Sequence, residues 1–273
     1  MYAGKTLFAQ LMDFLPWTTF SRTATRYGGD HRVRTLLDLR GNIPTFIHIS
    51  DGKLHDVNVL DILQPEPGAF YIMDRGYVDF ARLFALHLAG SFFVIRAKSN
   101  TKYRRRYSHP VETSRGVQCD QTIVLTGVNT ATGYPQPLRR IKYHDAETGK
   151  TFNFLTNNFA VPARTVADLY RYRWQVELFF KWIKQHLRIK SFFGTSENAV
   201  KTQIWIAISV YVLVAIVKRR LDIKADLYTI LQVLSLSPFE TMPLNQMLSR
   251  SGYNMHDVEY GKQLNLFDNL TGQ

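Results

Sequence analysis

Apolar and polar positions along this chain follow two periods. A period of two begins at Thr35, with strands predicted over Thr35–Leu39 and Ile43–Ile49 around a turn at Arg40-Gly41-Asn42. Leu54–Leu63 has helical spacing. Ala69–Met73 (AFYIM) is an unbroken apolar run ending at Asp74, and Arg75-Gly76 supplies its exit turn. A helix over Val78–Leu88 and a strand over Phe92–Ala97 complete a β-α-β unit. Beyond a basic run at 102–106, strands are predicted at Gln118–Thr126, Arg139–Tyr143 and Phe152–Leu155. Pro162 then opens a long helix, since proline is tolerated at a helix start. Further helices are expected over Glu197–Leu221, Asp226–Leu234 and Phe239–Arg250. At the N-terminal end, Leu7–Leu15 can form a short amphipathic helix, and Ser21–Arg34 is polar and glycine-containing. The order, strands first and helices last, is that of an α/β protein.

The long helix carries the sharpest chemical signal. Tyr170, Arg173, Glu177 and Lys184 are offset by 3, 7 and 14 residues from the first of them. At about 100° per residue they fall within roughly 60° of one another. Val176, Phe179, Ile183 and Leu187 take the opposite side and can face a core. One face thus presents a ring, two cations and a carboxylate, a mixture suited to a polyanion handled beside a metal. The plainer reading is a solvated face supported by a Glu177–Lys181 pair at i, i+4. Asp74 has two readings as well: a metal ligand at the end of a buried strand, or a cap on the following helix.

Charge narrows the choice of partner. The 273 residues carry a formal net charge of +12 with pI near 9.8, and 45% are hydrophobic, enough for one large core. Basic groups gather at Lys102–Arg106, Arg139–Lys142, Arg171–Lys190 and Lys218–Arg220, several beside aromatics such as Tyr103, Tyr107 and Trp182. Such clusters bind phosphate backbones, and the rings can stack on unpaired bases; each cluster alone is equally a solubilising surface. The lone Cys119 excludes an internal disulfide, which suits a reducing cytoplasm. The N-terminal stretch lacks a signal-peptide arrangement. Ile204–Val217 is apolar for 14 residues, short of the about 20 that a span needs, so a core helix and no membrane partner are expected.

The spacing Tyr-x2-Arg-x3-Glu-x6-Lys, here within YRYRWQVELFFKWIK, resembles the signature of insertion-sequence transposases of the DDE type, insertion sequence 4 group. MDRGYVDF resembles the family's second acidic strand, and TLLDLRGNIPTFIHISDGKLHD its early hairpin. The likeness spans about Thr35 to Leu221. It implies a ribonuclease-H-like catalytic domain over 35–222 with a β-rich insertion at about 100–160, an N-terminal accessory fragment over 1–34 with helical character, and a helical C-terminal region over 223–273. It also implies Asp74 and Glu177 as catalytic, metal-holding acids, with Tyr170, Arg173, Lys181 and Lys184 on DNA. The implied cofactor is Mg²⁺ or Mn²⁺. The implied partners are element ends (terminal inverted repeats), target DNA and a second copy of the chain, and the implied reaction is strand cleavage and transfer.

Such a site takes three acids. The family's first Asp lies on the strand before the hairpin and is followed by Ser or Thr; this chain contains no Asp-Ser or Asp-Thr pair. The N-terminal stretch runs almost straight into the hairpin, which points to a lost internal segment with its junction near Arg34–Leu37. Asp13, Asp38 and the cluster Asp51, His55 and Asp56 are weaker substitutes: the first lies in a helical pattern, the second at a hairpin turn, the third in a polar loop. The leading reading is a transposase impaired by the missing acid. The alternatives are a non-catalytic DNA-binding remnant or a ribonuclease-H-like nuclease, and a membrane protein is the least favoured.

Overall fold

The computed structural model describes residues 17–21, 32–39, 41–50, 55–187, 193–194, 196–236 and 246–247. Its described strands join in one mixed sheet of nine, in the order β3-β2-β1-β4-β5-β9-β8-β7-β6. They are β1 (Trp17–Ser21), β2 (Arg32–Asp38), β3 (Ile43–Ser50), β4 (Phe70–Met73), β5 (Phe92–Arg96), β6 (Tyr103–His109), β7 (Val117–Leu125), β8 (Leu138–Asp145) and β9 (Lys150–Thr156). β4 runs parallel to both its neighbours, β1 and β5, and the other pairings are antiparallel.

β4 shows why the sequence folds this way. Its four residues, Phe-Tyr-Ile-Met, are all buried because the strand is covered on both faces. Tyr71 and Met73 enter one core with Leu83 and Leu86 of helix α1 (Phe80–Leu88) and with Tyr134 beyond the short helix α2 (Val128–Gly133). Phe70 and Ile72 enter the other, beneath Val166 and Leu169 of helix α3 (Ala163–Arg171). The expected insertion extends the sheet through the β5–β9 pairing rather than building a separate one. Asn157 ties that junction: its Oδ1 accepts from the Phe93 amide at 2.9 Å, and its Nδ2 donates to the Ser91 carbonyl at 2.8 Å.

Two buried arginines cross-link strands. Arg34 of β2 donates to Asp56 through Nε (3.0 Å) and Nη2 (2.9 Å) and to Ser50 of β3 through Nη1. Arg139 of β8 makes a two-pronged contact with Asp120 of β7 (Nε–Oδ1 2.9 Å, Nη2–Oδ2 2.6 Å), with both side chains 7% exposed.

Several expectations change. Leu54–Leu63 yields a 3₁₀ helix over Asp56–Asp61, not an α-helix. Two strands went unpredicted, β1 and β6, as did α2. β1 and the start of β2 lie in the stretch assigned to the accessory fragment, which here supplies an interior strand of the sheet. The expected helices at Leu7–Leu15 and Phe239–Arg250 fall outside the described elements. The long helix is broken: α3 ends at Arg171, a 3₁₀ turn takes Tyr172–Trp174, and α4 runs Gln175–His186.

The chain divides into two compact units, Met1–Ala207 and Ile208–Gln273. Helix α5 (Glu197–Arg220) runs across the division. It is long and apolar enough to cross a membrane on length and composition. Val200, Ile204, Ala207, Ile208, Tyr211 and Val214 are nonetheless buried, a stripe at intervals of three and four such as a helix lays on protein. In the second unit Val214 packs on Ile230 of α6 (Leu227–Leu236).

Breaking one partner of a buried ion pair strands a charge, at a cost of about 3–5 kcal/mol. Asp120→Ala is therefore expected to lower stability by about that amount in urea unfolding. The paired change Arg139→Met with Asp120→Leu should cost clearly less. Equal losses for the single and paired changes would contradict this account.

Candidate active site

The site starts where β4 ends. Asp74 follows the last buried residue of the strand in extended conformation, and its Oδ1 accepts the Arg75 amide at 2.7 Å, capping the 3₁₀ turn Arg75–Tyr77. The cap of the next helix is a different acid, Asp79, which accepts from the Arg82 amide. Asp74 thus has a fixed backbone position and a half-buried carboxylate, with Oδ2 free of any hydrogen bond among the described residues.

From the other side of the sequence, Tyr170 near the end of α3 donates its hydroxyl to Asp74 Oδ1 at 3.4 Å. The Tyr170 ring is buried against Phe154 (4.7 Å between centroids) and Phe152 (6.3 Å). Burial, reinforced by the Asp74 charge, pushes the Tyr170 hydroxyl up to about 12, so it stays a donor at neutral pH. Arg173, on the 3₁₀ turn, lies 5.9 Å from the Tyr170 ring and 5.9 Å from the Trp174 ring, and donates to Glu177 Oε1 at 2.7 Å. Burial alone would depress its pKa, but Tyr170, Glu177 and Asp74 together hold it above the ordinary arginine value.

The structure therefore links Asp74, Tyr170, Arg173 and Glu177 in one chain of contacts, although two helices rather than one carry the signature. A 3₁₀ turn advances about 120° per residue against about 100°, so three residues shift the phase by only about 60° and the shared side survives. Val176, Phe179 and Ile183 are buried as their spacing predicts. The partner of Glu177 is Arg173, four residues earlier, and not Lys181, the partner that the solvated-face reading offered. Lys181 is exposed; Lys184 is half-buried, and burial lowers its pKa. α4 lies against β1 and β2.

No acid completes the set among the described residues. β1 reads WTTFS and carries no carboxylate along the edge it shares with β4, where Phe20 is level with Met73. Asp38 pairs at the level of Thr18, toward the opposite end of β1. Asp56 is the buried partner of Arg34, and His55 is exposed. Asp51 and Asp13 lie outside the described residues. No group of three or more His, Cys, Asp or Glu able to hold a metal ion occurs among the described residues. Carboxylate oxygens are the donors that a hard divalent cation prefers, so Asp74 and Glu177 suit Mg²⁺ or Mn²⁺ in kind while their number is small.

Sequence reasoning missed Arg96. It lies on β5, 5.2 Å over the Phe152 ring, and its charge acts on the Tyr170 hydroxyl. Its place at the end of an apolar strand parallel to β4 was the available signal.

Comparison with known proteins identifies the family. The model of the family described as Transposase DDE domain matches residues 15–213. A Sinorhizobium fredii protein named as transposase y4zB is 35% identical over 192 residues, covering 69% of this chain and 53% of that protein. A Geobacillus stearothermophilus transposase named for insertion sequence element IS5377 is 38% identical over 144 residues, 52% of this chain and 37% of its own length. A Synechocystis protein named as transposase for element IS4SA is 27% identical over 197 residues, 68% and 53%. The chain thus spans about half the length of the curated relatives it matches, or less. Its mixed sheet followed by helices is consistent with the ribonuclease-H-like domain of such enzymes, and the chain belongs to the DDE transposase family of insertion sequences.

Proposed function

We propose that this chain engages the DNA of an insertion sequence through the surface running from Tyr170 to Lys184, and that its cleavage centre is one carboxylate short. The observation that carries the reading is the meeting of Asp74 with Tyr170 from segments far apart in the sequence, beside the local Arg173–Glu177 pair. Family membership supports the wider frame: cleavage and strand transfer at element ends, with a divalent metal and a second copy pairing two ends.

Asp74 and Glu177 would hold the metal. Bound there, Mg²⁺ or Mn²⁺ would polarise a phosphodiester and favour attack by water or a 3′-hydroxyl. The chain's own groups do the rest. Tyr170 donates to Asp74 and so fixes which carboxylate oxygen stays open. Arg173 holds Glu177 and brings a positive charge beside it, where it offsets phosphate charge. Lys181 and Lys184, on the next turns of α4, would take backbone phosphates further along the strand.

The strand at the position of the family's first acidic strand, β1, carries Trp, Thr, Thr, Phe and Ser. An internal deletion that joined the N-terminal stretch to the hairpin would produce this arrangement, with the replacement strand satisfying β2 and β4 while contributing no ligand. Loss of one member of a catalytic set that works as a unit costs on the order of 10⁴-fold or more in rate. The chain is then a DNA-binding member of the family, occupying ends without cutting them efficiently.

Plasmid nicking in Mn²⁺ tests this. The chain and its Asp74→Ala variant should both bind plasmid DNA carrying the element's ends, and neither should nick it above background. Nicking by the chain and not by the variant would overturn the impaired reading. A second expectation concerns Arg173→Ala: DNA binding should weaken and the slope of log affinity against log salt should fall by about 1. An unchanged slope would remove Arg173 from the DNA surface.

A further inference from the structure

Arg139 and Arg140 are consecutive on β8 and point to opposite faces of the sheet. Arg139 is neutralised by Asp120. Arg140 is held as firmly, yet its hydrogen-bond partners among the described residues are neutral: Gln121 Oε1 at 2.9 Å, Asn153 Oδ1 at 2.8 Å and Cys119 Sγ at 3.2 Å. Its guanidinium also lies 5.1 Å over the ring of Tyr103 on β6. A cation positioned by four neutral contacts keeps its full charge and has already given up the rotamer freedom that binding would otherwise cost.

The pairing register shows what else shares that face. Paired residues of an antiparallel sheet project to the same side. Arg105 pairs with Ile123, Gln121 with Arg140, and Lys142 with Asn153. Alternation along β7 and β8 puts Arg105, Arg140 and Lys142 together on the side of Ile123 and Leu138. The two acids within these four strands, Asp120 and Asp145, lie on the other side, where Arg139 and Arg171 hold them. β6 is also the edge of the sheet, exposed over Tyr103–Ser108.

We infer that this face of β6–β9 is a second DNA-binding surface, taking the phosphate backbone of duplex DNA on Arg140, Arg105 and Lys142 beside the Tyr103 ring. The inference rests on the reading that the chain binds DNA, and places a further contact on a strand assembly separate from the Asp74–Glu177 site. An edge strand defended by charge would need only exposed arginines. It would not need an inward arginine fixed by Gln121 and Asn153, and that difference favours a ligand.

The test is fluorescence anisotropy with a labelled 30-base-pair duplex of unrelated sequence across a salt series. Removing one cation that neutralises a phosphate lowers the salt slope by about 0.9. Arg105→Gln with Lys142→Gln should lower it by about 2, and Arg105→Gln alone by about 1, with melting temperatures unchanged because neither side chain is in the core. Arg104→Gln removes the same charge from the opposite face of the same strand and should leave the slope within error. If the chain binds the duplex but the double variant keeps the full slope, the second surface is refuted and the functional reading stands. Equal effects of Arg104→Gln and Arg105→Gln would also refute it, since net charge alone would then explain binding. No binding by the unaltered chain at low salt would defeat the functional reading itself, and this inference with it.

Discussion

The acidic site of this chain hangs on β4 being covered on both faces. A strand with no solvent side has no freedom to slip in register, because a one-residue shift would exchange the two cores. Phe70 and Ile72 are committed to one side, Tyr71 and Met73 to the other. The residue that emerges from the end of such a strand is fixed in space by apolar packing alone, and that residue is Asp74. The same burial orders α3 above the strand, so that Tyr170 reaches Asp74 from a segment 96 residues away in sequence. The polar site is a product of apolar constraints.

How much of this the sequence shows depends on which signal a segment needs. β4 and Asp74 are legible because a buried strand must be an apolar run and its exit must be a turn. The buried side of α4 is legible because Val176, Phe179 and Ile183 repeat at helical spacing. β6 is not: an edge strand with most residues in solvent has no alternation to detect, and YRRRYSH reads only as charge. β1 is hidden for another reason. Its five residues are ordinary in composition, and their place between β2 and β4 comes from long-range pairing that no local pattern encodes. The Glu177–Lys181 pair of the plainer reading does not form because i, i+4 geometry offers Glu177 a partner in both directions, and the stacked, buried Arg173 loses less side-chain entropy in taking it than an exposed lysine would.

Within β6–β9 the two faces of the sheet also separate tasks. On one side, arginines are matched by acids, as at Arg139–Asp120 and Arg171–Asp145, and they hold structure together. On the other, Arg140 is anchored by amides and a thiol. A net charge of +12 says only that the chain suits an acidic partner. The pairing of individual cations says where that charge is consumed by the fold and where it is left over.

The break between α3 and α4 makes the second carboxylate's position a mechanical quantity. Tyr170, tied to Asp74, sits before the 3₁₀ turn, and Glu177 sits after it. Tyr170 is buried before the turn and Val176, Phe179 and Ile183 are buried after it, with Lys184 seven residues beyond Glu177. Any change in how that turn closes would therefore alter the spacing of the two carboxylates without replacing either of them.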